Sequence, residues 1–414
     1  MAGDARVKPN FSAVPSGWNV GIRSSKKVVH SMAVTIAKSQ GTVVAVAAGL
    51  LALISLGAYA EAGMRQAVAV LIGGLAGLSL YHASFGFTAA WRRIVTERRG
   101  AGLRAQFVLI LLTSAVSFPL IAWGSQLGWP TGGFVFPFGI AAAIGAFMFG
   151  VGMQLGGGCG SGTLFTAGGG STRMMSTLAA FVLVSGFATA HLHLWGQLPK
   201  LPATSLIREF GPHGAFLITA AVLAALAFAT IRIERKAHGE LAASRKTDSF
   251  LTGPWSPMMG AVMLAIVGIA TFVVVGRPWG ITSAFALWGG KIFHAVGIPV
   301  DTWPYWTWQR GALENSVLRD TTSVMDFGVI LGAMAAAALA GRFAPVWQLG
   351  RRDLLTAIAG GLLMGYGARL AYGCNIGAYL GGLVSGSLHG WLWLLFGFLG
   401  SLLGTRLRLR LGMG

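Results

Sequence analysis

Charged side chains are scarce in this chain of 414 residues: Asp, Glu, Lys and Arg make up 10% of it, against about 25% in an ordinary water-soluble domain. With 54% hydrophobic residues, so few charges cannot cover a soluble core of this size, and the composition is that of an integral membrane protein. Acidic residues are the scarcer sign, 12 against 31 Lys and Arg, for a net charge of +19. An excess of this kind ordinarily suggests nucleic acid, but in a membrane chain basic residues record topology. Cysteine is almost absent, with two in the chain, which excludes a disulfide scaffold. The sequence has no phosphate-binding Gly-x4-Gly-Lys-Ser/Thr loop, so ATP hydrolysis within this chain is not supported.

What the sequence has is long apolar runs. A hydrocarbon core of about 30 Å takes about 20 apolar residues per helix. Ten runs qualify as spans, near 42–60, 66–81, 105–123, 137–156, 174–194, 214–233, 257–276, 325–341, 354–371 and 388–404. Four shorter, glycine-broken stretches, near 82–91, 159–169, 279–297 and 374–386, are expected to enter the membrane and return. Non-helical backbone at that depth is tolerated where protein buries it or where it lines a polar cavity. With the N-terminus taken as cytoplasmic, 23 basic residues fall on the inner side and 7 on the outer, with Arg369 inside a span. Moving the count by one span destroys that asymmetry, so both termini are expected in the cytoplasm.

A shift of 215 residues superimposes Gly145, Gly150, Gly152, Leu155, Gly158, Cys159 and Gly162 on Gly360, Gly365, Gly367, Leu370, Gly373, Cys374 and Gly377. Glycine is abundant, but both cysteines falling at the same place points to an internal repeat. The implied organisation is a basic tail at 1–41, an extra first span and loop at 42–65, repeat one at 66–194, a linking span and cytoplasmic linker at 195–256, repeat two at 257–404, and a basic tail at 405–414. Five crossings separate the starts of the repeats, so they are inverted, an arrangement that places a substrate site near the midplane. The expected fold is therefore all-α, with about ten transmembrane helices in an inverted repeat and four short re-entrant helical segments. The polar stretch 234–255 reads as a solvated linker.

Around the cysteines the sequences are Gly158-Cys159-Gly160-Ser161 and Gly373-Cys374-Asn375-Ile376. Flanking glycines let the backbone turn sharply, and the N–H groups that follow form an anion cradle. A thiol adds a soft, weakly donating contact suited to a sulfur-bearing solute. Cys159, Cys374, Gly158, Gly373, Ser161 and Asn375 are thus candidate substrate contacts; small packing residues are the alternative for membrane cysteines. Arg369 is a candidate because an intramembrane charge is functional by default, and the repeat pairs it with Gln154. Ser84, Thr88, Ser283 and Lys291, in the first and third re-entrant stretches, are candidates for the path. Ser84 to Thr88 aligns only loosely with Ser283 to Leu287. His191 and His193 lack carboxylate or cysteine partners for a metal site, and no cofactor is expected. Trp303, Tyr305, Trp306 and Trp308 read as an interfacial aromatic belt.

These motifs, with Ser385-Gly386-Ser387-Leu388-His389-Gly390-Trp391 following the second one, resemble the YeeE/YedE family of sulfur transporters. The resemblance covers about 66–404. It implies an hourglass-like inverted-repeat fold in the bacterial inner membrane and uptake of thiosulfate or a related small sulfur anion, passed along by S–H···S contacts at Cys159 and Cys374. It also implies a small cytoplasmic TusA-like sulfur carrier as partner. Family members that take up thiosulfate carry a further cysteine in the first re-entrant segment, where this chain has Thr88 or a neighbour. Two other readings of the cysteines stand beside transport: a membrane thiol enzyme for sulfur transfer, which lacks a CxxC pair or a nearby base, and a generic small-anion channel in which the thiols only pack.

Overall fold

The structure, a computed structural model, describes residues 25–307 and 309–413, with side-chain surroundings from Gln40 onward. Most of the predicted basic tail, and Trp308 of the predicted aromatic belt, lie outside the described residues. The chain divides into two units between Ser39 and Gln40, and all that follows concerns the second, apart from the start of α1.

Fourteen helices organise it, ten long and four short. The long ones are α1 (Ser25–Ala62, apolar over Gln40–Ala62), α2 (Met64–Ala83), α4 (Ala101–Trp123), α5 (Ile140–Gly156), α7 (Thr172–Ala188), α8 (Leu206–His238), α9 (Pro257–Val275), α11 (Thr321–Leu339), α12 (Arg351–Leu370) and α14 (Leu388–Arg410). The short ones are α3 (Phe87–Thr96), α6 (Gly160–Gly168), α10 (Thr282–Ala295) and α13, a π-helical Asn375–Leu380 that runs into Gly381–Leu383. Among the described residues, nine helical stretches are long and apolar enough to cross a membrane, three of them including a short helix that follows a long one. The predicted span at 174–194 is the exception, because α7 ends at Ala188 and has 17 residues.

Local chemistry sets several of these ends. Ser256 caps α9 by accepting from the Met259 N–H, with Pro257 in the first turn, and Gly276 closes it at φ +78°. Asp320 caps α11 by accepting from the Ser323 N–H. The first short helix begins later than predicted: α2 runs on to Ala83, Ser84 takes a left-handed cap at φ +48°, and α3 starts only at Phe87.

The packing repeats itself between the two halves. Contacts between α2 and α11 have their counterpart between α9 and α4, those between α5 and α14 between α12 and α7, and those between α7 and α10 between α14 and α3. Helix pairs α5–α12 and α2–α9, each made of a helix and its counterpart, also pack together. Small residues permit the close approach: a Cβ on Gly150 would lie 2.1 Å from the Gly397 carbonyl oxygen.

Two expectations are corrected here. The linker is not simply solvated, since Trp255 is wholly buried against the end of α2, its N–H donating to the His82 carbonyl and its indole to those of Ser249 and Phe250. Arg245 ties the same segment to the Ala83 and Trp255 carbonyls. Trp306 is not a belt residue either: it is buried and donates to Thr189 at 2.9 Å, because a satellite core forms under the loop after α10.

Candidate functional site

The two short helices that follow the cysteines meet at their starts. Cys159 is the N-cap of α6 and Cys374 the N-cap of α13, both in extended backbone. Each is preceded by a turn through positive φ, made by Gly157 (+93°) in one half and by Tyr372 (+62°) with Gly373 (+150°) in the other. Both thiols are free and buried. The Cys374 sulfur rests directly on Gly160, where a Cβ would come within 2.9 Å of it. Gly160 is therefore required for the two tips to touch. Cys159 Sγ lies 3.5 Å from Ser161 Oγ.

Gln154 and Arg369, paired by the repeat, perform matching tasks. Gln154 Nε2 donates to the Thr88 carbonyl at 3.1 Å, and Arg369 donates to the Thr282 carbonyl at 2.8 Å and to its hydroxyl at 3.0 Å. Each pins the first turn of the first short helix in its own half. That pairing sets the register which the sequence left open: Thr88 corresponds to Thr282, not to Leu287.

Polar groups at the meeting point are left over. Among the described residues, the Asn375 side chain is fully buried with both its oxygen and its nitrogen unpartnered, and the Tyr379 hydroxyl is likewise buried without a partner. Buried polar atoms are nearly always hydrogen-bonded, so the tips hold polar groups whose bonding capacity is unused.

The two sides of the tips differ. On one, a cavity of about 400 Å³ opens, lined by Phe134, Phe136, Arg277, Ser283, Arg369 and Tyr372 and ending on Gly373 and Gly377. On the other, the linker side, Arg92, Arg173 and Arg408 converge on the end of α5. Arg408 donates to the Gln154 carbonyl, Arg173 to those of Leu155 and Gly156, and Arg92 to the Gln154 side-chain oxygen. The guanidiniums of Arg173 and Arg408 satisfy carbonyls that the helix end leaves open.

The remaining candidates separate accordingly. Ser283 faces the vestibule, its hydroxyl 3.1 Å from Thr322. Ser84 is exposed on the linker side beside His82 and Arg342. Lys291 lies away from the tips, where it donates to the Leu313 and Asn315 carbonyls and tethers a loop. Arg277, Phe134 and Phe136 were not singled out by sequence reasoning, because their role depends on a loop folding over the cavity. Asp326 carried a signal that was missed: it is an acid within an apolar run, and α11 begins at Thr321 rather than near 325, which places it well inside the helix.

Known proteins align with this chain across the same region. It is 30% identical to the "Thiosulfate transporter TsuA" of Spirochaeta thermophila over 351 residues, covering 80% of this chain and 96% of that protein. The corresponding protein of Escherichia coli is 24% identical over 344 residues. The "Probable transporter YedE" of Salmonella typhimurium is 33% identical over 155 residues, and there the chain spans 38% of the relative's length. Residues 82–403 match the family described as Sulphur transport, and with most of its length so matched the chain belongs to that family.

Proposed function

We propose that the protein carries thiosulfate, or a closely related sulfur anion, inward across the bacterial inner membrane, with no catalytic step. The termini and the Trp255 segment face the cytoplasm in this reading, and the vestibule faces outward. The repeats, 66–194 and 257–404, supply one cysteine tip each. The observation that carries the reading is the meeting of the two tips, with the buried free Cys374 thiol resting on Gly160, the residue next to the buried free Cys159, and the Asn375 side chain unpartnered among the described residues.

An anion attracted by Arg277 and Arg369 would leave the vestibule past Gly373 and exchange hydration for the N–H groups opening α6 and the Asn375 amide. The sulfur end of thiosulfate would meet Cys374 Sγ and then Cys159 Sγ as a soft acceptor. Thiols donate weakly, which suits a path where each site must release what it binds. Arg92, Arg173 and Arg408 stand at the far end, where a TusA-like carrier implied by the family resemblance would receive the anion.

Uptake of radiolabelled thiosulfate by cells lacking other importers tests this. Loss of either thiol, in Cys159→Ala or Cys374→Ala, should lower uptake about tenfold, the effect of removing about 1.4 kcal/mol of contact along the path. Unchanged uptake in both variants would refute the relay, and inactive wild-type protein would refute the substrate.

A further inference from the structure

Asp326 is fully buried in α11, and both of its carboxylate oxygens lack a hydrogen-bond partner among the described residues. Glu234, also fully buried, shows what a structural acid looks like here: it accepts from Arg99, Arg104 and the N–H groups of Gly100 and Ala242. Asp326 has nothing of the kind. A buried charge without a counter-charge is strongly destabilising, so such a residue is retained in a membrane helix for use.

Its position says which use. Thr322, one helical turn earlier on the same face of α11, has its hydroxyl 3.1 Å from Ser283 and 3.4 Å from Arg277, both lining the vestibule. Asp326 is therefore one turn deeper than the vestibule wall, and it lies within electrostatic reach of Cys374. The charged neighbours do not neutralise it. Just before α11, Asp320 is occupied in capping the helix, and Arg319, in the turn packed against α11, is paired with Glu61. On α2, Arg65 lies in the first turn and Tyr81 and His82 at the far end; α6 has no titratable side chain; on α10, Lys291 and His294 sit near the C-terminus. Arg277 and Arg369 are bonded to Thr322 and Thr282.

We infer that Asp326 is the proton-binding site that couples anion import to proton entry. The inference rests on the proposed uptake of a sulfur anion. Every negative charge moved inward against about 100 mV lowers the attainable accumulation about fifty-fold, so a dianion needs accompanying cations. The carboxylate takes a proton from vestibule water when the anion enters and returns it to water on the linker side; one O–H bond forms and the same bond breaks.

The full-length protein in liposomes tests this, with thiosulfate as the probe. Counterflow exchange between equal concentrations needs no driving force and should survive in Asp326→Asn. Accumulation driven by an acidic exterior, and thiosulfate-dependent acidification reported by an entrapped dye, should fall at least about tenfold in Asp326→Asn and be kept in Asp326→Glu. Equal pH-driven accumulation in Asp326→Asn would overturn the inference. So would wild-type accumulation that follows a sodium gradient, or wild-type uptake without proton entry, readings that do not depend on the variant folding. Wild-type protein that fails even in counterflow would overturn the transport reading instead.

Discussion

At the Cys159 tip the turn is made by a glycine, the thiol has a hydroxyl within 3.5 Å, and the paired Gln154 is fully engaged by Thr88, Ser401 and Arg92. At the Cys374 tip the turn passes through Tyr372, the residue after the thiol is the unpartnered Asn375, and the residue paired with Gln154 is the cation Arg369. The backbone device is shared, but the second copy is finished with groups that are charged, unsatisfied and open to a cavity, while the first is closed over. That asymmetry is what a vectorial path requires. In the proposed path, charge at the entry would draw the anion in, and an amide at the corresponding inner position would avoid holding it. The helical form differs too: α6 is an ordinary α-helix and α13 starts as a π-helix, a form that occurs disproportionately at functional sites.

On the linker side Trp255 is wholly buried, its ring 5.3 Å from that of His82 and 5.2 Å from that of Phe250. Trp255→Ala should cost about 3–5 kcal/mol, the range for emptying a large buried aromatic site, measured as a lowered unfolding midpoint in detergent. In a Cys374→Ala background, where Cys159 is the sole thiol, it should also speed alkylation of Cys159 from the linker side. Unchanged alkylation would show that the inner tip is closed by something else.

Next in size is Arg369→Gln, which gives both halves an amide at the paired position. Hydrogen bonds from charged groups contribute about 1.5–3 kcal/mol, so half-saturation for thiosulfate should rise about tenfold or more. The increase should shrink at high salt, where screening already weakens the wild-type attraction. An unaltered half-saturation at low salt would mean that Arg369 only pins Thr282 and that the two tips are equivalent for the anion.

Much of this was legible in the sequence because the repeat holds one spacing through its key segment. From Gly145 to Gly162, a shift of 215 finds its mates with no gap, and the Cys159 and Cys374 tips follow from it. Thr88 and Thr282 are 194 apart, because the second half inserts a long loop between α10 and α11, and no single shift could pair both places. Trp255 escaped for another reason. Its neighbours are polar, and what buries it is docking on the end of α2, a tertiary event with no periodic trace. Asp326 was visible as a letter but not as a depth, since the helix that carries it starts four residues before the apolar run does.

The smallest difference between the tips is the most diagnostic of how the asymmetry is held. Tyr372 occupies the place of Gly157 at φ +62°, a conformation that costs a side-chain-bearing residue about 1–2 kcal/mol. Its ring stacks on Phe136 at 4.8 Å, a contact in the range of about 0.5–1.5 kcal/mol for aromatic pairs. Tyr372→Gly removes both, so the unfolding midpoint should move little, by the equivalent of less than about 1 kcal/mol. Uptake should change more than stability, because Phe136 and Tyr372 together form part of the vestibule wall above Gly373. A large loss of stability with unchanged uptake would reverse the assignment, making Tyr372 a packing residue and leaving the left-handed turn as an accident of the duplicated glycine.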